Sequence, residues 1–362
     1  MSRGTAIGRT PETYPFGFDI GRDRIAFLSL RREQFAEASF LDARVLAPGA
    51  ERWNAAWPEV AAAISAAGLR ERCGYIFHIG HVGSTLLSRL LGAHPRVFAL
   101  REPLLLRTFA ELRSPRAGAG PADGAGGEAS ARAEPAHEER LSGCLKLLSR
   151  TFAPTDLAIL KATSFVAEIA AALLERPASP KALLMYVSPQ SYLATILGGP
   201  NSRQEAKLLL GARVARLRRR AGPEAGPLDA DSSSEGEALA LTWACETAAL
   251  AQAARVAGGR ALRLDFDGFL AAPEAHLARV LRHFDLAADA AAVSAILAGP
   301  DMGRYSKAPE YAYDAALRRD VLAAARLANG AEIRRGLAWL ERMAGNYPPV
   351  REALAFAVSP LP

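Results

Sequence analysis

Between Gly74 and Leu91 the chain reads Gly74-Tyr-Ile-Phe-His-Ile-Gly80-His81-Val82-Gly83-Ser84-Thr85-Leu86, then Leu-Ser-Arg89-Leu-Leu91. A short apolar run turning through glycine into leucines at helical spacing makes a cradle for an anion, because glycine lets the backbone come close to it. The first N–H groups and hydroxyls of the helix then point at the ligand. Gly80 and Gly83 supply the close approach, and Ser84 and Thr85 the hydroxyls. A loop for nucleoside triphosphates needs GxxxxGK followed by Ser or Thr, its lysine reaching the β- and γ-phosphates. No lysine occurs between Cys73 and Leu100, which disfavours ATP and GTP. Alone, these residues fit equally well a plain strand–helix turn with a Ser-Thr cap.

Downstream, Ala93-His94-Pro95-Arg96-Val97-Phe98-Ala99-Leu100-Arg101-Glu102-Pro103 reads as a turn and a second short strand that delivers a carboxylate just before a proline. The run from His81 to Pro103 resembles the 5′-phosphosulfate loop, helix and following strand of sulfotransferases that use 3′-phosphoadenosine 5′-phosphosulfate (PAPS). The likeness is greatest to the tyrosylprotein type and its bacterial relatives, in which Lys or Arg, then S-G-T-T-L, leads into a helix ending near A-H-P and then a glutamate. The resemblance implies that Gly83, Ser84 and Thr85, with Gly80, Val82 and Leu86 in the same loop, bind the donor. It implies that Glu102 takes the proton from the acceptor. His81 stands where the family has lysine or arginine, and histidine carries full charge only when protonated.

Three later segments extend the resemblance. Lys161, leaving the apolar run Leu157–Leu160, resembles the lysine that contacts the transferring sulfuryl group; the plain alternative is a surface lysine that snorkels. Val187-Ser188-Pro189 corresponds to the family's R-D-P segment for the 3′-phosphate, with Thr195 as its terminal hydroxyl, but Val187 and Ser188 replace the arginine and aspartate. The missing cation is then expected from the late loop Arg304-Tyr-Ser306-Lys307, whose Arg304, Ser306 and Lys307 are preferred over Arg203. In this reading His81, Lys161 and Ser306 stabilise the transferring group and the leaving phosphate.

Such residues must be held by strands alternating with helices. The pattern predicts strands at Ala182–Val187 and from Ala261 besides those above, and helices over Ser164–Leu174, Gln190–Leu197, Glu237–Ala257 and from Pro273. Strand–helix alternation implies a parallel sheet with its ligand crevice at the carboxyl ends of the strands. The expected fold is three-layer α/β, P-loop-NTPase-like, with helical additions. Residues 71–362 form this domain and residues 1–70 an accessory segment packed on it, with one strand at Ile25–Leu30 and a short helix. Flexible insertions are expected at 114–136 and 223–235, rich in Gly, Ala, Pro or Ser, with a helix near 138–152 between them. The chain from Tyr313 to Met343 reads as amphipathic packing helices. Asp265 and Asp267 read as helix caps or arginine partners rather than metal ligands.

Composition permits this enzyme. The 362 residues are 50% apolar and bury a large core. The net charge of +6 is too mild to imply nucleic acid, and the basic run Arg213–Arg220 reads as a solvated helix end. Cys73, Cys144 and Cys245 are spaced as buried small residues, without a disulfide or metal pattern. No apolar run suffices to cross a bilayer, and the first residues lack a signal-peptide core, so a bacterial cytoplasmic protein is expected. The resemblance implies PAPS as co-substrate, no metal, and a small-molecule or peptide acceptor bearing a hydroxyl, less readily an amine. A kinase-like phosphotransferase and a non-catalytic nucleotide-binding or scaffold protein are the alternatives on the same layout.

Overall fold

The computed structural model of this chain describes residues 3–46, 50–113, 126–223, 228, 234–305 and 312–358. The N-terminal strands β1 (Thr13–Asp19), β2 (Arg24–Ser29) and β3 (Arg52–Ala56) pair antiparallel in that order. The sequence marks only β2. Strand β1 is broken by Pro15 and Gly17, where the register shifts, and β3 reads Arg-Trp-Asn-Ala-Ala, poor in β-branched residues.

The remaining strands are β4 (Cys73–His78), β5 (Val97–Arg101), β6 (Leu157–Lys161), β7 (Ala182–Tyr186) and β8 (Ala261–Asp265). They form one parallel sheet in the order β5-β6-β4-β7-β8, flanked by helices, as the alternation predicts. Every residue of β4, β5 and β7 is buried, as it must be in a parallel sheet covered on both faces. Strand β8, at the edge, is only half-buried. Helix Ser84–Gly92 packs on β5 and β6, and helix Glu235–Ala257 on β4, β7 and β8. The latter starts with a capping box in which Ser234 and Glu237 bond each other's backbone N–H.

This order decides where the site lies. From β4 the chain runs to one side for β5 and β6, then crosses to the other for β7 and β8, so a crevice opens at the carboxyl end of β4. Because β6 sits between β5 and β4, the residue ending β6 stands between those that follow the other two. Those three positions are Lys161, Glu102 and the Gly80 turn.

The later part of the insertion expected at 114–136 is helical. Residues 114–125 lie outside the described residues, but helix Gly126–Leu148 already begins at Gly126 and ends before 152. Most of 223–235 also lies outside them. The segment predicted as helix Ser164–Leu174 starts as a 3-10 turn, Ser164–Ile169, before Ala170–Leu174 becomes α-helical. The three cysteines are buried thiols, as expected.

Candidate functional site

Strand β4 ends in a loop with three left-handed residues: Gly80 at φ 85°, His81 at 56° and Gly83 at 65°. At Gly83 an added Cβ would come within 2.1 Å of the Phe266 ring, so glycine is required twice over, by backbone and by packing. His81 projects toward helix Pro200–Ala221, with Nε2 3.8 Å from a Glu205 oxygen. Ser84 and Thr85 open helix Ser84–Gly92 and are buried; the Thr85 hydroxyl has no hydrogen-bond partner. Val82 is fully buried and, like Leu86, lines the cavity beside the loop. The sequence reading missed His78. Its Nδ1 accepts the Gly80 N–H at 3.0 Å while its Nε2, thereby the protonated nitrogen, lies 2.8 Å from the Ala162 oxygen. One buried ring thus ties the loop to the end of β6, and a histidine in an apolar strand was the available signal.

Glu102 follows β5 and has φ 56°, a conformation that costs a residue with a Cβ about 1–2 kcal/mol. Two features hold it there. Its N–H donates to the Lys161 oxygen at 2.6 Å, and Pro103 disfavours the right-handed helical region for the residue before it. Lys161 donates its Nζ–H to Glu102 Oε1, and its side chain is 1% exposed. It is therefore no snorkelling surface lysine. Arg44 Nη2 approaches the other carboxylate oxygen, Oε2, at 3.3 Å. Arg44 also lies over the Phe40 ring and donates from Nε to Asp42 Oδ1 at 2.8 Å. Burial alone would raise the Asp42 carboxyl, but the bonds from Arg44 outweigh it and hold Asp42 below its ordinary value.

Phe40, Asp42 and Arg44 belong to the N-terminal residues that the sequence left uninterpreted. Arg101 places them. Its guanidinium donates to the carbonyls of Phe35, Ala36 (2.9 Å) and Ala38 (2.6 Å), which end helix Arg32–Glu37, and its own carbonyl accepts the Leu41 N–H at 2.7 Å. Burial pulls the Arg101 pKa down to about 10, so this charge is kept dry at some cost. The Leu41 carbonyl is capped in turn by the Tyr14 hydroxyl at 3.0 Å. Residues 35–44 are thus stapled to the strand that delivers Glu102 and roof the site. Arg101 could have been suspected from its place before Glu102; Arg44 sits in a stretch without periodicity and gave no signal.

The other expected residues divide. Thr195 lines the same cavity, its hydroxyl donating back to the Ser191 carbonyl at 2.7 Å. Arg304 is exposed and lines it too. Ser306 and Lys307 lie outside the described residues. Arg203 is held by Glu235 (3.0 Å) and Asn329 (3.2 Å) and does not line the cavity. Ser188 caps helix Pro189–Leu197, accepting the Ser191 N–H. Asp265 caps helix Phe266–Ala271 and Asp267 pairs with Arg318 at 2.9 Å, the structural roles expected of them. Arg318, buried over the Phe266 ring and lining the cavity, was hidden in a segment read as packing.

The basic run Arg213–Arg220 is not a solvated face. Arg213 and Arg216 are buried against Glu246, and Arg216 and Arg220 pair with Glu168. Burial would raise the Glu246 carboxyl, yet the Arg216 and Arg213 guanidiniums outweigh it and hold it below its ordinary value. Helical spacing alone could not tell this inward face from an outward one, because its partners come from helices far along the chain.

The loop, Glu102, Lys161, Arg44, Thr195, Arg304, Arg318, Arg213, Arg216 and Glu246 line one cavity of about 680 Å³. Among the described residues no cluster of three His, Cys, Asp or Glu could hold a metal, and no helix is long and apolar enough to cross a membrane. No protein-family model matches the chain, and no curated protein matches its sequence. Among solved structures it is similar to the sulfotransferase domain from the curacin biosynthetic pathway, at 14% identity over 75% of this chain and 98% of that one (TM-score 0.41). It is also similar to a sulfotransferase from Alicyclobacillus acidocaldarius, at 14% identity over 78% and 94% (TM-score 0.38). A sulfotransferase from Mycobacterium avium matches at 15% identity over 74% and 78% (TM-score 0.39).

Proposed function

We propose that this protein moves the sulfuryl group of 3′-phosphoadenosine 5′-phosphosulfate to a hydroxyl-bearing acceptor, with Glu102 as the general base. One observation carries the reading: an anion cradle, a carboxylate and a buried lysine follow three adjacent parallel strands and face one cavity. The residues fit the donor. The Thr85 hydroxyl is buried without a partner beside a loop of left-handed glycines, as a phosphate ligand would require.

In this reading Gly83, Ser84 and Thr85 hold the 5′-phosphate, with Gly80, Val82 and Leu86 shaping the loop and His78 fixing its entry. When bound, the donor supplies the sulfur that the acceptor oxygen attacks, and the bond to the phosphate oxygen breaks with its electron pair. Glu102 accepts the acceptor's hydroxyl proton. Lys161 and Arg44, the cations touching Glu102, hold it in place and offer N–H donors to the oxygens that gain charge. Lys161 keeps the part that the resemblance gave it, and Arg44 takes the one given to His81, which is turned toward Glu205. Arg304 and Thr195 on the cavity wall are donor contacts in the same reading, with Ser306 and Lys307 expected beside them. The acceptor side is walled by Phe40, Leu104 and Arg107.

The test is transfer of radiolabelled sulfuryl from PAPS to a panel of phenols, alcohols and amines. Wild type should label a hydroxyl acceptor, and Glu102→Gln should lose about 100-fold or more in kcat while binding adenosine 3′,5′-bisphosphate as before. Normal turnover in that variant, or no labelling of any acceptor class, contradicts the assignment. The turn of His81 toward Glu205 favours a second reading, a nucleotide-binding protein without transfer. That reading predicts thermal stabilisation by the bisphosphate and no labelled product.

A further inference from the structure

Helix Pro200–Ala221 turns one face to the cavity: Ser202, Glu205, Leu209, Arg213 and Arg216 recur at three- or four-residue intervals along the lining. Glu205 meets His81 of the anion loop. Arg213 is eight residues further on, which places it about 12 Å along the helix axis from that contact. The cavity therefore has a second end, away from the loop, walled by Arg213, Arg216, Glu246 and Phe165.

That end carries excess positive charge. Arg213, Arg216 and Arg220 are nearly enclosed, and so are their partners Glu168 and Glu246, the latter 1% exposed. Three guanidiniums against two carboxylates leave one positive charge over. The neighbouring ionisable groups do not cancel it. Burial pushes the Cys245 thiol up to about 11 and the Tyr192 phenol higher still, so both stay neutral. Glu205 beside His81 has a side chain 60% exposed, so solvent screens its charge. Arg219, facing Glu168 at 3.7 Å from the solvent side, only adds to the excess.

The hydrogen bonds at this end are likewise incomplete. Arg216 spends Nε on Glu168 and both Nη atoms on Glu246. Arg213 gives Nε to Glu246 at 3.1 Å, while its Nη1 is buried without a partner. Thr163, also on the cavity wall, has a buried hydroxyl without a partner. Unpaired buried donors of this kind are costly, and an oxyanion is the group that satisfies a guanidinium fork.

We propose that Arg213, backed by Arg216, forms a second oxyanion site in this cavity, taking a phosphate or carboxylate of a ligand. The proposal rests on the function above only in treating the Gly80–Thr85 loop as the first anion site. Two sources share the chemistry: a second phosphate on the donor nucleotide, or an acidic group on the acceptor.

Calorimetric titration with inorganic phosphate tests it. Wild type should bind two phosphates per chain. Ser84→Ala with Thr85→Ala should lose the loop phosphate and keep the other, and Arg213→Gln should do the reverse. Arg213→Lys keeps a cation beside Glu246 but lacks the spare forked donor. It should keep the wild-type Tm and still bind the second phosphate about tenfold more weakly, which separates loss of the site from loss of the fold. Adenosine 3′,5′-bisphosphate displacing both phosphates assigns the site to the nucleotide; displacement of the loop phosphate alone assigns it to the acceptor. One phosphate per wild-type chain, or a second whose affinity is the same in both Arg213 variants, overturns the proposal. Failure of sulfuryl transfer with two phosphates still bound would count against the proposed function and not against this site.

Discussion

Replacing Gly83 by alanine makes two demands on the loop at once. The residue keeps φ 65°, which costs an L-residue about 1–2 kcal/mol, and its new methyl lies 2.1 Å from two atoms of the Phe266 ring and 2.6 Å from a third. The ring has nowhere to go cheaply. Phe266 is buried at the start of helix Phe266–Ala271, with Arg318 5.0 Å above its centre and Phe269 stacked at 6.2 Å. Overpacking of this sort costs about 1–3 kcal/mol, so the substitution should destabilise the chain by about 2–5 kcal/mol in all. At roughly 2 °C per kcal/mol for a large domain, Tm falls by roughly 4–10 °C. Scanning calorimetry measures this, and Gly83→Ala combined with Phe266→Leu separates the two parts. The ring contact predicts a favourable coupling of about 1–3 kcal/mol between the two substitutions, while the backbone part persists in the double variant. A Gly83→Ala protein that melts with wild type would refute both the left-handed turn and the ring contact.

The Lys161–Glu102 pair should behave as one unit. Lys161→Met or Glu102→Gln alone leaves a partner without its counter-charge and should cost about 3–5 kcal/mol, and the double variant clearly less than the sum; additive losses in denaturant titrations would contradict the pairing. Arg101→Met should free residues 35–44 from β5, exposing them to trypsin and cutting kcat more than bisphosphate affinity; an unchanged digestion pattern would sink the roof assignment. Glu246 predicts a pH effect. Its folded-state pKa lies below the ordinary 4.5, so its stabilisation is fully present above about pH 4.5 and is lost as pH falls below that. Denaturation free energies should drop in that window for wild type and with a shallower slope for Glu246→Gln, and equal slopes would exclude the effect.

The parallel sheet was legible because β4, β5, β6 and β7 are short apolar runs bounded by turns, and burial on both faces leaves that mark in sequence. The Gly80–Thr85 turn, Glu102 and Lys161 of the candidate site could be picked out from sequence because each ends or directly follows one of those strands. Arg44 was not, since it reaches the site through a roof held by Arg101 bonding backbone carbonyls, and carbonyls have no sequence signature. The inward arginines of helix Pro200–Ala221 were misread for a related reason. A basic helix end is stabilised by the helix dipole in solvent, and only Glu246 and Glu168, from other helices, reveal that Arg213 and Arg216 face inward. Helix Gly126–Leu148 was set too short because its first residues, Gly126-Gly-Glu-Ala-Ser, carry the composition of a loop.

In the proposed function the Gly80–Thr85 loop holds the 5′-phosphate of a PAPS-type nucleotide. Calorimetric titration of the intact chain with adenosine 3′,5′-bisphosphate and with ATP, on wild type and on Ser84→Ala with Thr85→Ala, tests it most directly. The bisphosphate should bind at least about tenfold more tightly than ATP, and the paired substitution should weaken it by about tenfold or more, the value of one or two hydrogen bonds to a charged group. Equal or tighter binding of ATP, or bisphosphate affinity untouched by the paired substitution, would contradict the account.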